Sequence, residues 1–235
     1  MNHTAQMLEL HSVAKTFTLH LQGAEKLEVV SGVSLNVAAG ECVVLAGPSG
    51  TGKSSVLRMI YGNYRCDAGR IDLLAGSDTI DIARALPRDI VELRRTRIGY
   101  VSQFLRAIPR VATLDLVAAA SQRFGFPPEA SRRRAEGLLQ RLNLAPRLWS
   151  LPPATFSGGE QQRVNIAIGF AGDHALLLLD EPTASLDAAN RSAVVDLIGE
   201  RKASGKAILG IFHDEDVRNR VADRVVDITS FAAGR

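Results

Sequence analysis

The chain has 235 residues, of which 46% are apolar, 23% charged and 5% aromatic, and its 28 basic residues outnumber 25 acidic ones for a net charge of +3. That is enough chain for one domain with a hydrophobic core, too apolar for disorder, and too weakly basic to imply nucleic acid except where the charge clusters. No run approaches the roughly 18 apolar residues of a spanning helix. The opening Met1–Leu10 lacks the basic-then-apolar order of a secretory signal, and Cys42 and Cys66 make no disulfide framework, so a cytoplasmic chain with reduced thiols is expected.

In chain order, Glu41–Ala46 is a compact apolar run sized for a buried strand, with Cys42 as a small core residue. It leads into Gly47-Pro48-Ser49-Gly50-Thr51-Gly52-Lys53-Ser54-Ser55, which matches the phosphate-binding pattern G-x-x-x-x-G-K-[ST] at every required position. The glycines let the backbone wind tightly enough for successive N–H groups to converge on phosphates, with a helix N-terminus behind them. Lys53 would set a point charge between the β- and γ-phosphates of ATP, and the Ser54 hydroxyl would ligate Mg²⁺.

Further along, Arg84, Arg88, Arg94, Arg95 and Arg97 cluster, as do Arg132, Arg133, Arg134 and Arg141. Solvated helix faces account for both groups; the alternative is a docking surface for an acidic partner or nucleic acid. Ile98–Ser102 reads as a strand. From Gln103 to Phe156 alanine, arginine and leucine dominate with helical periodicity, punctuated by Pro127-Pro128 and Pro152-Pro153, as in a helical lobe inserted into a sheet domain. Ala175–Leu179 and Ala207–Phe212 are further strands, and their near-continuous apolar character fits parallel strands buried on both faces of an α/β sheet. Leu176–Leu179 runs into the adjacent acids Asp180 and Glu181. Consecutive residues at a strand end can point differently, so Asp180 can bind Mg²⁺ while Glu181 polarises an attacking water. A solvated acidic pair is the plainer alternative.

Phe156-Ser157-Gly158-Gly159-Glu160-Gln161-Gln162-Arg163 resembles the signature segment of the ATP-binding cassette (ABC) family, and the likeness runs from about Leu8 to about Asp227. The resemblance implies a single ABC ATPase domain of P-loop NTPase type. Its RecA-like α/β core spans about 1–103 and 157–235, with an inserted α-helical subdomain at about 104–156 and an N-terminal antiparallel β portion. It implies ATP hydrolysis, ATP and Mg²⁺ as cofactors, and a second ABC subunit as partner. Lys53, Gln103, Glu181 and His213 would be catalytic, with His213 on the γ-phosphate. Gly47 to Ser55 would cradle ATP, with Phe17 stacked on adenine, and Ser54, Gln103 and Asp180 would serve the metal. Ser157, Gly158, Gly159, Glu160 and Asp187 would reach the ATP held by the other subunit. An ordinary helix N-cap is sound alternative chemistry for Ser157, and core packing for Phe17. In Asn165-Ile166-Ala167-Ile168, Ile168 stands where the family usually carries arginine, and altered packing near the signature is expected from it.

Ser102–Arg110, Leu148–Phe156 and Gly210–Glu215 further resemble the L-subunit family of bacterial carbon–phosphorus lyase systems. That likeness implies a part in forming ribose 1-methylphosphonate 5-triphosphate from ATP and methylphosphonate, beside soluble phosphonate-processing subunits and without nucleic acid. These segments contain no chemistry for displacing adenine from ribose, so that step is expected on a partner. Two alternatives share the same nucleotide residues: the motor subunit of an ABC transporter, docked through Phe104–Arg110, and an ATP-gated nucleic-acid or ribosome-binding module.

Overall fold

The computed structural model describes residues 5–19, 25–75, 78–105 and 110–232. The chain runs β1 (Gln6–Leu19), β2 (Glu25–Ala38), β3 (Cys42–Ala46), α1 (Lys53–Ile60), β4 (Ala68–Ala75), β5 (Asp78–Asp81), α2 (Pro87–Thr96) and β6 (Ile98–Val101). It continues through α3 (Thr113–Gln122), α4 (Pro128–Arg141), α5 (Gly158–Ala171), β7 (Leu176–Asp180), α6 (Ala188–Ala203), β8 (Ala207–Ile211), α7 (Glu215–Val221) and β9 (Arg224–Asp227).

Two sheets result. β2-β1-β4-β5 is antiparallel, and β6-β7-β8-β3-β9 is parallel throughout. Every residue of β7 and β8 is buried, as their unbroken apolar runs require of central parallel strands, while the edge strand β9 alternates. Leu8, Val13, Val37, Val43, Leu45, Leu57 and Leu178 pack together between the two sheets and α1. On the opposite face of the parallel sheet, Val117, Leu139, Phe170 and Ile198 share one cluster with Val101, Leu177 and Leu179, so α3 and α4 pack through α5 onto the strands. Gly169 permits the close approach of α5 to β6, since a Cβ there would lie 2.3 Å from Val101 Cγ2.

The register matters most for function. Val44 of β3 pairs with Gly210 of β8, Gly210 with Leu179 of β7, and Leu179 with Val101 of β6. Measured from that level row, Gly47 and His213 lie three residues onward, and Glu181 and Gln103 two. Four segments distant in sequence therefore leave the same carboxyl edge side by side, the edge at which parallel sheets bind ligands.

Cys42 is buried in the core as expected, and burial pushes its thiol up to about 12. The arginine clusters divide. Arg84, Arg88, Arg95, Arg97, Arg132 and Arg133 are exposed, as solvated faces should be. Arg141 is exposed as well, paired with both oxygens of Glu200, whereas the half-buried Arg94 donates to the Tyr61 carbonyl and Arg134 to that of Ala171. Ile168 requires a correction. It lies eleven residues along α5 from Ser157, about 16 Å at helical rise, and borders a hollow with Tyr61, Arg123, Phe124 and His174 rather than the signature. Of the Phe104–Arg110 surface, residues 106–109 lie outside the described residues; Phe104 is 74% exposed. No helix among the described residues is long and apolar enough to cross a membrane.

Candidate functional site

β3 ends at Ala46, and the chain turns through Gly47 at φ +132° and Gly52 at φ +89° before α1 begins at Lys53. Gly52 could not be another residue without rearrangement: a Cβ would lie 2.4 Å from Val30 Cγ1. It also caps α1 without a side-chain bond, which leaves the first helical N–H groups directed at the loop. Lys53 is only 8% exposed, and its Nζ donates to the carbonyls of Gly47 and Pro48, both at 2.7 Å. Burial lowers its pKa, opposed by the charges of Glu181 and Asp180. The Thr51 hydroxyl donates to the Pro48 carbonyl at 2.9 Å, bracing the turn.

Across the cleft, Asp180 ends β7 and is 2% exposed. Its Oδ1 accepts from Ser54 Oγ at 2.9 Å and its Oδ2 from the Tyr100 hydroxyl at 2.8 Å. Burial and then the Asp180 charge raise the Tyr100 pKa, which keeps the phenol a donor. Glu181 follows in a left-handed conformation at φ +52°, with its N–H donating to the Ile211 carbonyl. Non-glycine residues in that region cost conformational energy and occur at functional sites. Its Oε1 lies 2.8 Å from His213 Nε2, and its Oε2 accepts from Gln103 Nε2 at 3.3 Å.

Ser49, Gly50, Gly52, Lys53, Ser54, Ser55, Glu181 and His213 line one cleft of about 200 Å³. A hydroxyl and a buried carboxylate in contact form an all-oxygen donor set, which fits a hard cation such as Mg²⁺ shared with phosphate oxygens. Gln103, expected with that pair, reaches Glu181 instead.

The other expected residues lie apart. Ser157 caps α5: its N–H and hydroxyl donate to Glu160 Oε2 at 2.9 and 2.7 Å, and its Oγ accepts from Glu160 N at 3.4 Å. These bonds hold the Glu160 carboxyl below the usual carboxylate range. Asp187 caps α6, accepting from Asn190 N at 2.8 Å. Neither residue lines the phosphate-loop cleft, nor do Gly158 and Gly159, although Ser157 and Gly158 are exposed. Phe17 is half-buried, edge-on to Tyr64 at 5.1 Å with Lys15 Nζ 5.2 Å from its ring.

Sequence reasoning missed the residues that hold these loops. Besides Tyr100, Gln162 donates to the Pro182 carbonyl at 3.1 Å and Asn165 to the Ser102 carbonyl at 2.6 Å, tying α5 to the segments after Glu181 and before Gln103. Arg191 donates to the Leu186 carbonyl at 2.9 Å and pairs with Asp214. The available signals were weak: a tyrosine in an apolar strand, and two amides three apart on a buried helix, each needing a partner.

Comparison with known proteins identifies the family and the fold. The ABC transporter family model matches residues 30–184. The lipoprotein-releasing system ATP-binding protein LolD of Paramagnetospirillum magneticum is 37% identical over 223 residues, which cover 94% of this chain and 95% of LolD. An uncharacterized ABC transporter ATP-binding protein of Mycobacterium tuberculosis is 36% identical over 218 residues, 93% of this chain but only 64% of that protein's length. The dimeric ATP-binding cassette MJ0796, solved in a post-hydrolysis state with ADP and Pi, superposes with a TM-score of 0.83 at 30% identity over 94% of both chains. The chain belongs to the ABC transporter family. Its fold is that of an ATP-binding cassette, with a parallel α/β core and an antiparallel β portion.

Proposed function

We propose that this chain is an ATP-binding and ATP-hydrolysing subunit that works as a head-to-tail dimer. The observation that carries the reading is the convergence of Lys53, Ser54, Asp180, Glu181, Gln103 and His213 from four strand ends while Ser157 to Glu160 stay outside the cleft. A cleft of about 200 Å³ is smaller than ordinary ligand pockets. A second subunit's signature helix would supply the missing wall, its N-terminal N–H groups facing the γ-phosphate.

In this reading the loop amides and Lys53 hold the phosphates, and Phe17 is the candidate for adenine stacking. Ser54 and Asp180 would hold Mg²⁺, which when bound neutralises phosphate charge. Glu181 takes a proton from the attacking water, while His213 and Gln103 hold the carboxylate in place. Closure and reopening of the dimer transmit work to whatever the cassette is attached to.

The match to the ABC transporter family, and the likeness to LolD along nearly its whole length, support a membrane transporter as that load, with this subunit on the cytoplasmic side. A second reading has its own support in Ser102–Arg110, Leu148–Phe156 and Gly210–Glu215, whose resemblance is to the carbon–phosphorus lyase L subunits. There the load is a soluble phosphonate-processing assembly.

Two measurements test the proposal. Purified chain should bind ATP and hydrolyse it, and Lys53→Ala should abolish tight binding; unchanged binding would refute the phosphate-loop assignment. Affinity purification from detergent extracts then separates the loads. A stoichiometric permease overturns the lyase reading, and a soluble phosphonate-processing complex without permease overturns the transporter reading.

A further inference from the structure

We infer that Tyr100 is a positioning residue for the cation site at Ser54 and Asp180, an inference that rests on the nucleotide reading above. The two oxygens of Asp180 are claimed by different elements: Oδ1 meets the Ser54 hydroxyl on α1 at 2.9 Å, and Oδ2 meets the Tyr100 hydroxyl on β6 at 2.8 Å. The parallel register sets Tyr100 beside Leu178, two residues before Asp180, so the length of the phenol spans the offset.

The phenol is itself held. Its ring stacks on Tyr61 with centroids 4.9 Å apart and planes 25° from parallel. Tyr61 is clamped in turn by Arg94, whose guanidinium lies 4.5 Å from the ring and whose Nε donates to the Tyr61 carbonyl at 2.8 Å. The hydroxyl therefore meets the carboxylate from a fixed direction.

A carboxylate free to turn about its terminal torsion presents either oxygen, or neither squarely. A donor fixed on Oδ2 leaves Oδ1 facing Ser54 and the cation, which is the task of an outer-sphere partner to a metal ligand. Phenylalanine at position 100 would keep the ring and its stacking on Tyr61. It would remove the hydroxyl that donates to Asp180 and that Arg58 also approaches.

The test is binding of a fluorescent ATP analogue to the full chain, titrated with Mg²⁺ and repeated in EDTA. In Tyr100→Phe the Mg²⁺ concentration giving half-maximal enhancement of binding should rise about tenfold, in line with the loss of outer-shell partners elsewhere. Binding in EDTA should match the parent, while the unfolding midpoint in EDTA should fall modestly, because one oxygen of the buried Asp180 carboxylate loses its donor. An unchanged Mg²⁺ midpoint would overturn the assignment. So would an equal loss of binding in EDTA, which would mark a merely structural role. Tyr61→Leu, which loosens the stack and keeps the hydroxyl, should raise the Mg²⁺ midpoint by less than Tyr100→Phe; a larger rise would place the effect in the ring rather than the hydroxyl. Failure of the parent to bind the analogue at all would refute the nucleotide reading itself, and this inference with it.

Discussion

Glu181 Oε1 lies 2.8 Å from His213 Nε2, although 32 residues separate the two and each follows a different strand. The other oxygen of the same carboxylate accepts from Gln103, 78 residues earlier in the chain. A base held at both oxygens, on a backbone at φ +52°, has little freedom left to lose when a water must be oriented.

Glu181→Gln keeps the shape and one hydrogen-bonding oxygen but removes the proton acceptor. It should bind ATP as the parent does and hydrolyse it at least about 100-fold more slowly, the low end of what general-base catalysis contributes. ATP should then hold the variant as a dimer in sedimentation. Turnover at the parental rate would dismiss Glu181 as the base.

Ser157 carries two tasks that substitution can separate. Ser157→Ala removes the α5 cap and should cost about 1 kcal/mol in denaturant unfolding. Ser157→Asp keeps an acceptor for the Glu160 N–H but loses the hydroxyl that donates to Glu160 Oε2 and sets a second carboxylate against it, so stability should fall between those of the parent and Ser157→Ala. Both should weaken ATP-induced dimerisation, the aspartate more, because its charge opposes a triphosphate. Normal dimerisation by Ser157→Asp would show that the signature does not meet the nucleotide.

Two helical glycines should respond to alanine with opposite sign. Gly137 on α4 is exposed with nothing within 4 Å of a Cβ, so Gly137→Ala should stabilise by up to about 1 kcal/mol through helix propensity. At Gly169 the new Cβ would lie 2.3 Å from Val101, and Gly169→Ala should destabilise by about 1–3 kcal/mol. Val101→Ala in the same chain should recover part of that loss. Equal effects at the two sites would mean that α5 does not press on β6.

Acid should unfold the protein partly through His174. Burial lowers its pKa from 6.5 to about 4, with Arg201 and Arg123 adding to the shift and Asp173 opposing it. Its Nδ1 has no hydrogen-bond partner among the described residues, and its ring meets Phe124 edge-on at 4.6 Å. The unfolded chain takes up this proton near pH 6.5 while the folded one resists until about 4. The stability contribution is therefore complete above pH 6.5 and lost as pH falls toward 4, at up to about 1.4 kcal/mol per unit. Between pH 7 and pH 5 the parent should lose roughly 2 kcal/mol more than His174→Leu. Identical pH dependence in the two would exclude His174 as the source.

Much of the site is legible in the order of residues alone. Gly47 to Ser54 announce a phosphate loop because its requirements are local: glycines where φ turns positive, and a lysine at the first residue of a helix. The buried strands are legible for a similar reason, since an unbroken apolar run such as Leu176–Leu179 has no solvent face to offer. The expectation for Ile168 failed because proximity to Ser157 in sequence becomes three turns of helix in space. Tyr100 and Arg191 escape a reading of the sequence because a side chain's partner across a sheet or between loops leaves no mark on its own neighbours in the chain.

The sequence by itself determined which chemical groups are available, a lysine, two carboxylates, a hydroxyl and a histidine, and that each would stand at an element's end. Only the tertiary structure decided which of them meet. The non-sequential order β6-β7-β8-β3-β9, and a register levelling Val101, Leu179, Gly210 and Val44, bring Gln103, Glu181, His213 and Gly47 to one edge while turning Ser157 away. The physical reason is that parallel strands pair only across long crossovers, so their neighbours are chosen by the packing of the whole core and not by adjacent residues.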